Sequence, residues 1–113
     1  MEVFIHHIYE YEKGLRNMIL HTTKAENRKL AEEKLKRKNI SYEIYELANN
    51  KINIFFGNES CINVIREIGK TNLSDYSDEE DFIIGIMLGY DRAKQCERYL
   101  SRKERKKREV KTE

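Results

Sequence analysis

Residues 78–100, DEEDFIIGIMLGYDRAKQCERYL, are the one stretch long and apolar enough to organise a domain of this size. Ser77 is placed to cap a helix, Glu80 completes a capping box with it, and Asp78, Glu79, Glu80 and Asp81 crowd the first turn, where the helix dipole favours negative charge. Phe82, Ile86, Gly89, Ala93, Cys96 and Leu100 recur at spacings of four and three. That spacing predicts one continuous helix over 78–100 with this stripe in the core. Between 83 and 88 every residue except Gly85 is apolar, so this half must be covered on nearly all sides, by the chain or by a second copy. Ile83, Gly85, Ile86, Met87 and Gly89 are therefore the expected helix-packing or dimer surface, and a homodimer is expected. Gly85 and Gly89 form a GxxxG, which on a helix marks close approach of a neighbouring backbone and is no phosphate loop.

A length of 113 residues allows a single domain with one modest core, expected over 1–100, followed by a basic tail or frayed helix end over 101–113. Apolar residues make up 39% and charged residues 37%, which leaves a densely charged surface. The start, MEVFIHHIYEYEKG, lacks the basic region and apolar run of a signal peptide, and no stretch approaches a membrane span. The reading is a cytoplasmic protein with no membrane partner. Cys61 and Cys96 have no short spacing that would make a metal knuckle or a CxxC pair, so buried free thiols are expected. Asp91 and Arg92 are expected to form an exposed ion pair.

Net charge is +2, but residues 101–113 hold seven Lys or Arg against three Glu, so a slightly acidic body carries a basic end. Arg102, Lys103, Arg105, Lys106, Lys107 and Arg108 are the candidate partner-binding residues. With no aromatic residue after Tyr99 and three acids among the seven cations of 101–113, this end predicts only weak, salt-sensitive contact with nucleic acid and no specific site.

Earlier in the chain, Phe4, Ile8 and Tyr11 share a helical face over 3–13, and Gly14 is suited to end that helix, although the alternation of Val3, Ile5, His7, Tyr9 and Tyr11 would equally suit a strand. Residues 17–22 predict a strand. Thr23 with Glu26 suggests a capping box that opens a surface helix over 24–38 with Leu30, Ala31 and Leu35 on its apolar side. Residues 41–47 and 52–56 flank Asn49 and Asn50, which tolerate the positive φ of a tight turn, so a β-hairpin is expected. Asn58 caps a further helix with Cys61, Val64, Ile65 and Ile68 as its core stripe, and Gly69 stops it. The class is α+β, a small three-stranded, mostly antiparallel sheet covered by helices, with 52–56, the most apolar strand, in the middle. Ile19, Phe55, Tyr45 and Leu47 are expected on the sheet face away from the one that packs on the helices, to be covered by the N-terminal helix or a second subunit.

Two segments, VFIHHIYEYEKGLRNMILHT and EEDFIIGIMLGYDRAKQCERYL, make the chain resemble the bacterial family catalogued as domain of unknown function 2023. The resemblance implies a small three-stranded α+β domain that forms homodimers and is often encoded beside a flavodoxin gene. It implies no reaction and brings no catalytic residues.

His6, His7 and Glu10 lie at helical spacings of three and four, the geometry of a metal-ligand pair, with His21 or Asp91 as the further ligand that zinc or iron would require. A packed or hydrogen-bonded histidine pair is the expected arrangement, and a metal-assisted activity at His6, His7, Glu10 and His21 is the enzymatic alternative. An enzyme should otherwise show a nucleophile beside a base, paired carboxylates or a cofactor loop. None is recognisable here, and no cofactor is expected. The composition and the resemblance together favour a non-enzymatic interaction or regulatory module whose partner is an acidic redox protein, flavodoxin the leading candidate.

Overall fold

A computed structural model describes residues 1–112 as an α+β domain. Helix α1 (Glu2–Glu12) leads into strand β1 (Met18–Lys24), helix α2 (Arg28–Arg37) and the hairpin of β2 (Ser41–Glu46) and β3 (Lys51–Gly57). Helices α3 (Glu59–Ile68), α4 (Asp78–Met87) and α5 (Arg92–Thr112) follow.

The sheet runs β1-β3-β2 with both pairings antiparallel, so the most apolar strand is central, as its composition requires. Asn49 and Asn50 turn the hairpin at φ of 61° and 57°, the left-handed conformation that asparagine tolerates better than most residues. On β3 every residue from Ile52 to Gly57 is buried, so the sheet is covered on both faces. On one face Ile52, Ile54, Phe56 and Ile19 pack with Phe4 and Ile8 of α1 and Ala31 and Leu35 of α2. On the other, Met18 and Phe55 pack with Ile62 and Ile65 of α3, Tyr76, and Ile84 and Leu88 around α4. Ile19 thus lies on the opposite face from the one expected, because it pairs directly with Phe56 and cross-strand partners point the same way. The face away from α1 and α2 is covered by α3 and α4 of the same chain.

Local signals explain most boundaries. Asn58 accepts a hydrogen bond from Ser60 N and Gly69 ends α3 at φ 63°, while the Ser77–Glu80 capping box opens α4 with both reciprocal bonds made. The core of α3 is Ile62 and Ile65; Val64 is exposed, one helical step outside the stripe that faces the sheet. The Thr23–Glu26 box does not form. Strand β1 continues to Lys24, whose position opposite Lys51 holds Thr23 extended, and Thr23 Oγ1 instead accepts from Asn27 Nδ2 at 2.9 Å. Cys61 is half-buried and Cys96 exposed, so only the first thiol approaches the expected burial.

The expected single helix over 78–100 is two helices. Its chain turns back at Gly89, which takes φ 83° with its N–H bonded to Ile86 O, and Asp91 restarts helix by accepting from Lys94 N at 2.9 Å. Asp91 is therefore a helix cap, and its expected pairing with Arg92 is not seen among the described residues. Reversal replaces the expected core stripe: Ile84, Gly85 and Leu88 are buried, whereas Ile86, Ala93, Cys96 and Leu100 are exposed. Residues 101–112 of the basic end continue α5 as helix.

Gly57 closes β3 at φ 145°, and a Cβ there would strike Asn17 O and stand 2.9 Å from Met18 Cα. Backbone atoms on both counts leave no side chain to move aside. Gly57→Ala should lower the unfolding free energy by about 2 kcal/mol or more, combining strained backbone and overpacking. Urea unfolding within about 0.5 kcal/mol of wild type, the range of neutral surface changes, would refute the close approach.

Candidate functional site

The α4–α5 hairpin brings the acidic first turn of one helix against the basic half of the other. Asp78 is the centre. Its side chain is fully shielded from solvent, Arg102 Nε donates to Oδ1 at 2.8 Å, and Lys106 Nζ stands 2.9 Å from Oδ2. That second contact is one of charge, because Oδ2 has no aligned hydrogen bond. Asp81 takes a two-pronged contact from Arg98, Nε at 2.8 Å and Nη2 at 3.0 Å, the fork geometry by which guanidinium recognises carboxylate. Glu79 accepts from Tyr99 Oη at 2.7 Å and pairs with Lys103 Nζ at 2.7 Å. Glu80 faces the body of the domain, where Lys70 Nζ donates to it at 2.6 Å.

These contacts set the protonation of the turn. Lys106 and Arg102 hold the Asp78 carboxyl below the usual range, Lys103 and Tyr99 do so for Glu79, and Arg98 for Asp81. The Tyr99 phenol is pushed up in turn by its bond to Glu79. Between the helices Phe82 packs on Tyr99 with ring centroids 5.5 Å apart, and Gly85 provides the notch into which Gln95 fits, where a Cβ would meet the Gln95 side chain. A cleft of about 480 Å³ opens beside Asp78, lined by Arg98, Arg102, Arg105, Lys106 and Glu109.

Of the six candidate partner-binding residues, Arg102, Lys103 and Lys106 are thus engaged by α4, and Arg108 pairs with Glu104 one turn back at 3.8 Å. Arg105 lines the cleft, and Lys107 is exposed further along α5. Of the expected packing surface, Gly85 packs inside the hairpin, Met87 is half-buried, Ile83 and Ile86 remain 41% and 36% exposed, and Gly89 makes the turn with open space around it. Gly89 therefore serves backbone conformation, and among the described residues nothing lies within 4 Å of where its Cβ would stand.

The histidines separate. His6 is turned to solvent with Nε2 3.7 Å from Glu10, which also meets Arg16 at 3.8 Å. His7 turns inward to His21 on β1, the rings edge-on at 5.3 Å, and Phe4 packs on His21 with ring centroids 5.2 Å apart. Among the described residues no three His, Cys, Asp or Glu side chains converge as a metal-binding group. The His7–His21 pair is packed, with His7 Nδ1 buried and without a hydrogen-bond partner. Burial lowers the pKa of both, and for His21 the His7 charge adds to it. Sequence reasoning missed the role of Arg98, Tyr99 and Gln95 as the docking face of α5; Gly89 followed by Asp91, a helix stop and then a cap, was the signal that would have found the reversal.

A family model described as "Protein of unknown function (DUF2023)" matches residues 2–102. The chain belongs to that family. No curated protein matches it. The family match spans the sheet, α1 to α4 and the part of α5 that carries Arg98 and Arg102, so the Asp81 and Asp78 contacts to these arginines lie within the family domain, while Lys103 and Lys106 lie beyond the matched residues. No helix among the described residues is long and apolar enough to cross a membrane.

Acid should loosen the fold in two steps. His7 and His21 have lowered pKa values, so the folded state prefers them neutral, and their contribution is full above about pH 6.5 and lost as pH falls through the lowered values. His7 feels Glu10, Arg16 and His6 as well, and His21 feels the N-terminal amine, which leaves desolvation the leading cause for both. The carboxylates of Asp78, Glu79 and Asp81 act lower: their contribution is present above the ordinary carboxylate range, about pH 4, and lost as pH falls through their depressed values. Urea unfolding across pH should therefore show a shallow decline below about pH 6.5 that His7→Gln flattens, and a steeper one in stronger acid that Glu79→Gln with Asp81→Asn flattens. A wild-type profile unchanged by both variants would contradict these assignments.

Proposed function

We propose that the protein is a non-enzymatic interaction module of the cytoplasm that binds an acidic protein partner through α5, with an acidic redox protein of the flavodoxin type the leading candidate. The observation that carries this reading is the cleft beside Asp78, where Arg98, Arg102, Arg105 and Lys106 gather along α5 with Glu109. Three are guanidinium groups, the cation whose planar fork suits carboxylate recognition. A row of fixed cations speeds encounter with an acidic surface more than it tightens the complex. Electron-transfer partners typically use small, transient interfaces, to which one helix face is matched in scale. Free thiols at Cys61 and Cys96 accord with a reducing compartment.

Titration of an acidic flavodoxin into the full-length protein should give roughly micromolar affinity at low salt, weakening steeply as exposed charges are screened over about 10 Å at 0.1 M. Arg105→Glu with Lys107→Glu should weaken it several-fold, since neither cation has an ion pair among the described residues and both add to the positive field that steers an acidic partner. Absence of wild-type binding at low salt would end this reading.

A second reading, self-association, is favoured by the outward row of Ile83, Ile86 and Tyr90 on α4 and its turn, at spacings of three and four, with Leu100 exposed on α5. A homodimer through this face should sediment as one at micromolar concentration, and Ile86→Glu should return it to a monomer with its circular dichroism unchanged. A wild type that sediments as a monomer would remove the dimer.

A further inference from the structure

Four cations of α5 meet carboxylates from a single short element. Arg98, Arg102 and Lys106 lie four residues apart along the helix and meet Asp81 and Asp78, while Lys103 meets Glu79. The ligand is a helical turn with consecutive acidic residues, and the two-pronged Arg98–Asp81 contact is specific to the shape of a carboxylate. Little apolar surface holds the two helices together, because Cys96 and Leu100 of α5 face outward and the inner row is Gln95, Tyr99 and Arg102. The ion pairs around Glu79 and Asp81 are partly exposed, with Lys103 at 38% and Arg98 at 53%, and pairs of that kind are individually weak. The turn between the helices is a single left-handed glycine and a cap, a place where the chain can hinge.

We propose that Arg98, Arg102, Lys103 and Lys106 form a receptor for an acidic helical turn on a partner protein, and that the first turn of α4 is the internal occupant that keeps it closed. This rests on the reading of α5 as the partner-binding helix, and it names both the chemistry of the partner and its regulation. A tethered occupant competes at high effective concentration, so the free protein binds acidic partners more weakly than its cations allow. A partner with more carboxylates than the internal turn displaces it and takes the same fork and ammonium contacts.

The test uses full-length protein and a fluorescent oligoglutamate peptide at low salt. Glu79→Gln with Asp81→Asn should bind the peptide about fivefold more tightly than wild type, as expected for loss of two exposed pairs from the competitor. Net charge alone is controlled by Glu26→Gln with Glu33→Gln, which removes two exposed carboxylates of the α2 region that have no ion pair among the described residues, and this variant should bind like wild type. Independently of any substitution, saturating wild type with peptide should raise hydrogen exchange at the amides of the α4 first turn. Equal affinity of the Glu79/Asp81 variant and wild type, an equal gain in the control, or unchanged exchange would each overturn the internal-occupant proposal while leaving α5 as the binding helix. Absence of binding by every version would overturn the α5 reading itself, and the proposal with it.

Discussion

Strand β3 is buried on both of its faces, and the rest of the molecule is arranged to keep it so. A central strand with Ile52, Ile54 and Phe56 on one side and Phe55 on the other demands helices on both sides of the sheet. α1 and α2 meet the first demand, with Phe4 and Phe56 edge-on at 5.5 Å near its centre. α3 and α4 meet the second, where Tyr76 is buried so fully that its phenol is pushed up to about 12. Two half-cores result, separated by one sheet, which is how a chain of 113 residues covers a strand that would otherwise be an aggregation-prone surface.

Once α4 is committed to the sheet through Ile84 and Leu88, its other side decides what α5 does. That side presents Asp78, Glu79 and Asp81, and an unpaired carboxylate as shielded as Asp78 would be costly. The basic helix supplies the compensation with its polar row, and at the crossing the Gln95 side chain occupies the place where a Cβ on residue 85 would stand. The apolar residues of α5 are turned outward as a consequence. A helix held to a domain by charge and one aromatic contact is a different object from a core helix: salt and acid act on it directly, and a competing acid has access to it. Arg16 adds one further tie to this region by donating to Leu88 O at 3.2 Å, so the end of α4 is anchored to the α1–β1 loop as well as to the sheet.

The histidine pair illustrates how spacing along a helix differs from convergence in space. His6 and His7 are sequence neighbours, but successive residues on a helix point about 100° apart, so one turns to solvent beside Glu10 and the other inward to His21. Only His7 and His21 come together, and they do so as rings in a packed contact beside Phe4.

Local chemistry determined much of this protein from the sequence alone. The caps at Asn58 and Ser77, the stop at Gly69, the paired asparagines of the hairpin, the central place of the most apolar strand and the α+β class are each fixed by residues within a few positions of one another, or by a hydrophobic run that has only one place to go. Tertiary structure decided the rest. The side on which Ile19 lies depends on its register against Phe56, which no residue within β1 specifies. The reversal at Gly89 was masked because the apolar spacing of Ile86, Ala93, Cys96 and Leu100 stays in phase across it, and phase reports a common helical face without reporting what covers that face. Which row of α5 is inside was settled by the cost of leaving the carboxylates of α4 without cations, an energy that exists only once the two helices lie side by side.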